Sequence, residues 1–116
     1  LPNVFANDGE LRQVFLIMIL NAIDAMEKME REKRLEIRTY QNVNEVRIEF
    51  KDAGCGIPAE YINKIFDPFF TTKPSDKGTG LGLSIAYNII NRFRGGIDVE
   101  SREGVGTSFI ISLPAA

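Results

Sequence analysis

The chain has 116 residues, of which 44% are hydrophobic and 26% charged, and its formal net charge is −2. This balance predicts one soluble globular domain over residues 1–116 and disfavours nucleic acid as a partner. The chain contains no histidine, which excludes Ser–His–Asp and Cys–His catalysis and zinc sites that use histidine. One cysteine and no targeting segment are typical of a cytoplasmic domain. Because the first residue is Leu1 rather than Met, we expect a longer parent protein, which a membrane anchor outside this chain could tether.

A helix is predicted near the start of the chain. Asn7 or Asp8 can cap it, since a short side-chain oxygen accepts hydrogen bonds from the free N–H groups of the first turn. We expect the helix to run from about residue 10 to about residue 33. Residues 14–20 are apolar on every side of the helix and should be buried all round. Residues 27–34 mix both charges and are interpreted as a solvated helix end.

The rest of the chain alternates between strand and helix patterns. Alternating apolar residues predict a hairpin over residues 35–52, and we also expect a short strand at residues 3–6. A short helix is expected at 58–66 and a longer one at 82–94, followed by two strands that turn at residues 104–106. These elements predict an α/β two-layer sandwich, with a mixed β-sheet and the helices on one face.

An amide and a carboxylate stand out from this pattern. Asn21 lies within the apolar helix, where it could place an oxygen on Mg²⁺ or simply bond to the backbone. Asp52 ends a strand and is followed by Gly54 and Gly56. An ionised carboxylate only accepts hydrogen bonds, so it suits the exocyclic amine of adenine and repels the carbonyl of guanine. The glycines would let the backbone approach the base, although Asp and Gly are also common in plain turns.

A second glycine-rich loop opens the helix at residue 82. Free N–H groups at a helix start attract phosphate, whereas a flexible linker would look much the same in sequence. The loop matches neither the dinucleotide fingerprint nor the P-loop. Lys73 precedes it and could reach a phosphate as a mobile point charge. The loop consists of Gly78, Thr79, Gly80, Leu81, Gly82 and Leu83.

Five such features occur in one order: Asn21, Asp52-x-Gly-x-Gly, Phe66-x-Pro-Phe-Phe, Gly78-x-Gly-x-Gly and Gly104-x-Gly-Thr. The set resembles the catalytic, ATP-binding domain of sensor histidine kinases, in the superfamily shared with gyrase-type, mismatch-repair and heat-shock-chaperone ATPases. Residues 68–84 (PFFTTKPSDKGTGLGLS) are most similar to nitrogen-regulation-type sensor kinases. The resemblance implies a Bergerat-type fold that binds ATP and Mg²⁺.

The resemblance also implies roles for single residues. Asn21 matches the Mg²⁺-binding asparagine, and it and Lys73 are the implied catalytic residues. Asp52 matches the carboxylate that reads adenine, and Thr107 the threonine that supports this contact. Residues 71–77 match a mobile lid with Phe66 and Phe69 at its hinge. The implied cofactor-binding residues are Asn21, Asp24, Asp52, Gly54, Gly56, Ile57, Phe66, Thr72, Lys73, Gly78, Thr79, Gly80, Leu81, Gly82, Leu83 and Thr107.

By resemblance, the domain transfers the γ-phosphate of ATP to a histidine on a separate dimerisation domain of the same protein, with a response regulator downstream. The fragment itself is expected to be monomeric and to contact neither nucleic acid nor membrane. Ile17 replaces an asparagine, or the glutamate that activates water in hydrolysing relatives, which argues against autonomous hydrolysis. Asp24 and Ala25 replace a lysine and a tyrosine of some relatives, which leaves more of the phosphate contact to Lys73.

Four alternatives fit the sequence. A self-contained ATPase would release phosphate steadily without a partner protein. A serine kinase of the same superfamily would label a serine on a partner. A nucleotide-binding regulatory module would bind ATP and transfer nothing, and a plain structural α/β domain would not bind ATP at all.

Overall fold

A computed structural model describes residues 1–70 and 82–116. These residues form one sheet with two helices packed against it. No helix among them is long and apolar enough to span a membrane. The elements in chain order are α1 (Asp8–Met26), β1 (Leu35–Asn42), β2 (Glu45–Asp52), a 3₁₀ turn (Ala59–Tyr61), α2 (Gly82–Arg92), β3 (Gly96–Arg102) and β4 (Gly106–Pro114).

Helix α1 begins where the capping pattern predicts and ends earlier than expected. The Asn7 side chain accepts a hydrogen bond from the Glu10 backbone N–H at 2.9 Å, which confirms the cap. The predicted extension to residue 33 is wrong, because the helix ends at Met26. Residues 27–34 are almost entirely charged. They offer little apolar surface that packing could use to hold a further helical turn.

The apolar run of α1 is also less buried than expected. Val14 and Met18 are buried, whereas Leu16 is 55% exposed and Leu20 is 50% exposed. In the described part of the chain, α1 packs mainly against α2 and β2. A helix between two such neighbours buries one side, so the expectation of burial all round is wrong.

The sheet has the order β1-β2-β4-β3, and all of its described strand pairs are antiparallel. The sequence predicts mixed pairing instead. The observed pairing follows from two hairpins, β1–β2 and β3–β4, with β4 antiparallel to β2 between them. The expected strand at residues 3–6 is a single bridge between Val4 and Ala115. The expected helix at residues 58–66 is helical only at the 3₁₀ turn.

The core lies between the helices and one face of the sheet, which confirms the α/β two-layer sandwich. Alternate residues of β2 and β4 point inward, among them Phe50 and Phe109, and they pack with α1 and α2 residues such as Val14 and Ile90. This inward row ends in polar residues, because Asp52 closes β2 and Thr107 opens β4. The fold therefore places a carboxylate and a hydroxyl at the edge of an apolar core.

Gly106 is required where β4 passes β2. Its φ is +151°, and a Cβ there would lie 2.1 Å from the Asp52 carbonyl oxygen. We expect Gly106→Ala to lower the free energy of unfolding by about 3 kcal/mol, because the backbone must shift. Urea denaturation measures this change. The control is Gly96→Ala, where a Cβ meets nothing within 4 Å and the change should stay within about 0.5 kcal/mol. Equal losses in both variants would contradict the steric argument.

Candidate functional site

Three polar residues lie side by side across the sheet. Thr107 is the register partner of both Asp52 and Ser101. Asp52 and Thr107 are each only 5% exposed. The Asp52 Oδ1 accepts a hydrogen bond from the Gly54 N–H at 2.9 Å, and the Ser101 and Thr107 hydroxyl oxygens lie 2.8 Å apart. This polar row thus combines the buried acceptor Asp52 and the buried Thr107 hydroxyl with the half-buried Ser101 hydroxyl, which also donates to the Gly106 carbonyl oxygen at 3.1 Å.

Burial affects the acidity of Asp52. It raises the pKa of the carboxyl, because a low-dielectric surrounding disfavours the charged form. Hydrogen bonds from the backbone N–H groups of Gly54 and Thr107 act in the opposite direction and lower the pKa. Both of these partners are donors, so the carboxylate is oriented by the backbone as an acceptor. Such a group can recognise an amine and disfavours a carbonyl.

The loop after Asp52 is shaped by its glycines. A Cβ on Gly54 would lie 2.8 Å from both the Cβ and the carbonyl oxygen of Ala25. Gly56 has a φ of +75°, and a Cβ there would lie 2.3 Å from the Arg102 carbonyl oxygen. The Ile57 N–H donates to the Ser101 Oγ at 2.8 Å. The glycines therefore let α1 and β3 approach the loop closely. This packing role is additional to the predicted contact between the glycine backbone and a base.

Helix α1 places Asn21 between two loops. Ala25, Asn21 and Ile17 follow one another at intervals of four residues and so lie along one side of the helix. The Ala25 carbonyl oxygen accepts from the Cys55 N–H at 3.0 Å, and the Ile17 Cγ2 is 3.5 Å from where a Cβ on Gly82 would lie. Four residues span about 6 Å of helix. The half-buried Asn21 therefore lies roughly midway between the Asp52 loop and the start of α2.

Three of the other predicted site residues, Phe66, Ile57 and Leu83, lie close to the core. The Phe66 ring stacks on Tyr87 with centroids 5.2 Å apart and meets Phe109 edge-on at 6.3 Å. Ile57 and Leu83 are half-buried and also pack against the core cluster. These contacts are structural, and a role of Phe66, Ile57 and Leu83 in binding a cofactor stays a prediction.

Of the remaining predicted residues, three are described by the structure and the others are not. Asp24 is exposed near the end of α1, and Gly82 is the first residue of α2. Phe69 is 73% exposed and has a φ of +66°. The lid at residues 71–77 and several predicted ligands of the phosphate fall outside the described residues: Thr72, Lys73, Gly78, Thr79, Gly80 and Leu81.

Sequence reasoning missed two residues of this region. The interpretation of residues 27–34 as a solvated helix end is wrong, because the Arg31 guanidinium donates to four backbone carbonyl groups around the Asp52 loop. No sequence signal marks this contact, since every residue has a carbonyl oxygen. Ser101 could have been found, because it occupies an inward position of β3 in line with Ile97 and Val99.

Comparison with known proteins places this geometry in a family. Residues 6–116 match the model of the family described as histidine kinase-, DNA gyrase B-, and HSP90-like ATPase. The chain is 41% identical to the sensor kinase CckA of Brucella abortus, over 96% of this chain and 13% of that protein. It is 43% identical to the signal transduction histidine-protein kinase AtoS of Escherichia coli, over 90% of this chain and 16% of that protein. The chain thus spans less than a fifth of these two relatives.

Solved structures agree with these matches. The nucleotide-free catalytic domain of histidine kinase ThkA superimposes with a TM-score of 0.82 at 38% identity, over 97% of this chain and 71% of that one. Full-length ShkA, solved in complex with AMPPNP, superimposes with a TM-score of 0.86 at 28% identity, over all of this chain and 24% of that one. The expected Bergerat-type fold is confirmed, while the nitrogen-regulation subtype stays a prediction.

Proposed function

The chain belongs to the histidine kinase-, DNA gyrase B- and HSP90-like ATPase family, as a catalytic ATP-binding domain of the sensor histidine kinase type, and we propose that it donates the γ-phosphate of Mg²⁺-ATP to a histidine on a separate dimerisation domain of its parent protein. The observation that carries this proposal is the buried acceptor Asp52, held by backbone N–H groups beside the helix that bears Asn21. A response regulator would then receive the phosphoryl group.

The described residues fit a bound adenine nucleotide. Asp52 would accept a hydrogen bond from the exocyclic amine of adenine, with Thr107 and Ser101 supporting its position through the polar row. Asn21 lies between the Asp52 loop and the start of α2, so a nucleotide with its base at Asp52 and its phosphates toward α2 would bring the phosphates near its amide. Its amide oxygen suits Mg²⁺, which commonly takes one or two protein ligands together with substrate phosphates. The ion would neutralise charge on the phosphates.

Two observations bear on the choice between transfer to a partner and hydrolysis. The chain contains no histidine, so the acceptor must come from another domain. The residue one helical turn before Asn21 is Ile17, which has no group that could activate water. Phosphoryl transfer needs positioning and charge neutralisation more than covalent help from the protein, so this domain can serve as the donor without an acceptor residue of its own.

A transfer assay tests the proposal. The chain is incubated with Mg²⁺ and ATP labelled in the γ-phosphate, with and without a separately made histidine-bearing helical hairpin of the parent protein. We expect an acid-labile label on the hairpin and none on the chain. A folded, verified hairpin that stays unlabelled would overturn the kinase proposal. Steady phosphate release without the hairpin would indicate an ATPase, and an acid-stable label on a partner serine would indicate a serine kinase.

A further inference from the structure

Arg31 connects two loops that lie far apart in sequence. It belongs to the segment 27–34 between α1 and β1. Its Nη2 donates to the carbonyl oxygens of Ala53, Gly54 and Val105 at 3.1, 2.8 and 2.9 Å. Its Nη1 donates to the Gly104 carbonyl oxygen at 2.8 Å, and its Nε donates to the Ala53 carbonyl oxygen at 3.2 Å. We call this set of contacts the Arg31 bridge.

The Arg31 bridge lies next to the polar row, where the chain leaves Asp52 and where it enters Thr107. Ala53 and Gly54 directly follow Asp52, and Gly104 and Val105 belong to the turn that leads into Thr107. The same two loops also meet directly, because the Gly104 N–H donates to the Cys55 carbonyl oxygen at 2.7 Å. Arg31 therefore links the loop after the carboxylate to the turn before the threonine.

The positive charge and planar shape of the Arg31 guanidinium suit these four acceptors. Four carbonyl oxygens that converge on one point repel one another unless a cation lies between them. Hydrogen bonds from a charged donor are about twice as strong as those between neutral groups. The planar guanidinium offers five N–H donors in a fixed fork, whereas the compact ammonium of lysine cannot reach four acceptors in this arrangement. Arg31 bonds to the Ala53 carbonyl oxygen, which shares a planar peptide group with the Gly54 N–H, and that N–H donates to the Asp52 carboxylate.

We propose that Arg31 is a positioning residue for recognition of the base: it holds the two loops so that Asp52 and Thr107 keep the geometry that distinguishes adenine from guanine. This inference rests on the proposed function, because it assigns the polar row to the base of a bound nucleotide. Arg31 acts through backbone carbonyls and need not touch the ligand. Loss of Arg31 should therefore weaken the affinity for all adenine nucleotides by the same factor. The contacts to the metal and the phosphates should not change.

The test compares three variants of the full chain by calorimetric titration with ATP, ADP and GTP. We expect Arg31→Ala and Arg31→Lys to weaken ATP and ADP by the same factor, roughly tenfold, and to narrow the preference for ATP over GTP. The control is Arg34→Ala, which removes the same charge from the same segment. The Arg34 side chain is 70% exposed and pairs with Glu32. Its loss should leave all three affinities unchanged.

Each other outcome has a defined meaning. If Arg31→Ala lowers the unfolding temperature but keeps both the affinities and the ATP preference, Arg31 is only structural and the inference is overturned. A larger loss for ATP than for ADP would also overturn it, because the defect would then lie at the phosphates. If the unmodified chain binds no adenine nucleotide, the proposed function fails and the inference fails with it. Arg31→Lys keeps the charge, so it serves as the test should Arg31→Ala not fold.

Discussion

Asp52→Ala should remove the preference for ATP over GTP. The carboxylate is 5% exposed and is oriented by the Gly54 N–H. It is the acceptor that would bind the exocyclic amine of adenine and repel the carbonyl that guanine offers at the same place. A hydrogen bond to a charged group contributes about 1.5–3 kcal/mol, so we expect ATP affinity to fall roughly 10- to 150-fold while GTP affinity changes little or rises. Competition titrations with both nucleotides measure the ratio.

Two further variants separate recognition from folding. Asp52→Asn keeps the shape of the side chain and adds an N–H₂ donor, which can bond to the guanine carbonyl. We expect it to narrow the preference even where Asp52→Ala destabilises the domain. Asp98→Ala removes an exposed carboxylate of β3 and should change neither affinity. An unchanged ATP-over-GTP ratio in folded Asp52→Asn would remove Asp52 from base recognition.

The position of Asp52 could be predicted because it breaks a pattern. Alternate residues of β2 point into the core, and the row Val46, Ile48, Phe50 is apolar and buried. Asp52 continues that row with a carboxylate. A charged group at an inward position is costly unless it is bonded or used, so the break in periodicity marks it. Thr107 breaks the inward row of β4 in the same way.

The end of α1 and the Arg31 bridge could not be predicted, because no break in a sequence pattern marks either of them. Charged residues from 27 to 34 are as compatible with a solvated helix as with a loop. What decides between them is tertiary: the carbonyl groups of Ala53, Gly54, Gly104 and Val105 converge only after the sheet has formed. Backbone acceptors carry no sequence signature, so a contact made solely to them is invisible until the fold is known.

Geometry also links Asn21 to the chemistry more closely than sequence spacing does. From its position in the sequence alone, the Asn21 amide could equally form an ordinary hydrogen bond to the backbone. The structure adds that its helix contacts the Asp52 loop through Ala25 and approaches the start of α2 through Ile17. A nucleotide with its base at Asp52 and its phosphates toward α2 would therefore pass Asn21 on the way. There the amide oxygen would be available to a metal bound to the phosphates.

Asn21→Ala should therefore reduce phosphoryl transfer far more than it reduces nucleotide binding. The amide oxygen would hold the ion that neutralises charge as the phosphoryl group leaves ATP. Loss of one such preorganised group commonly lowers a rate about 10²- to 10³-fold. We expect this loss in the initial rate at which the histidine-bearing hairpin is labelled. ATP affinity should lose its dependence on Mg²⁺, while ADP affinity changes less.

Asn91→Ala is the matched control for this variant, because Asn91 is an exposed amide on α2 and its loss should leave the transfer rate unchanged. Asn21→Asp restores an oxygen ligand but adds a negative charge beside the phosphates. It should recover the Mg²⁺ dependence of ATP binding better than it recovers the rate. If Asn21→Ala instead weakens ATP and ADP equally, with and without Mg²⁺, the amide supports the nucleotide rather than the metal. The Mg²⁺ dependence thus distinguishes a role of Asn21 at the metal from one that only supports the bound nucleotide.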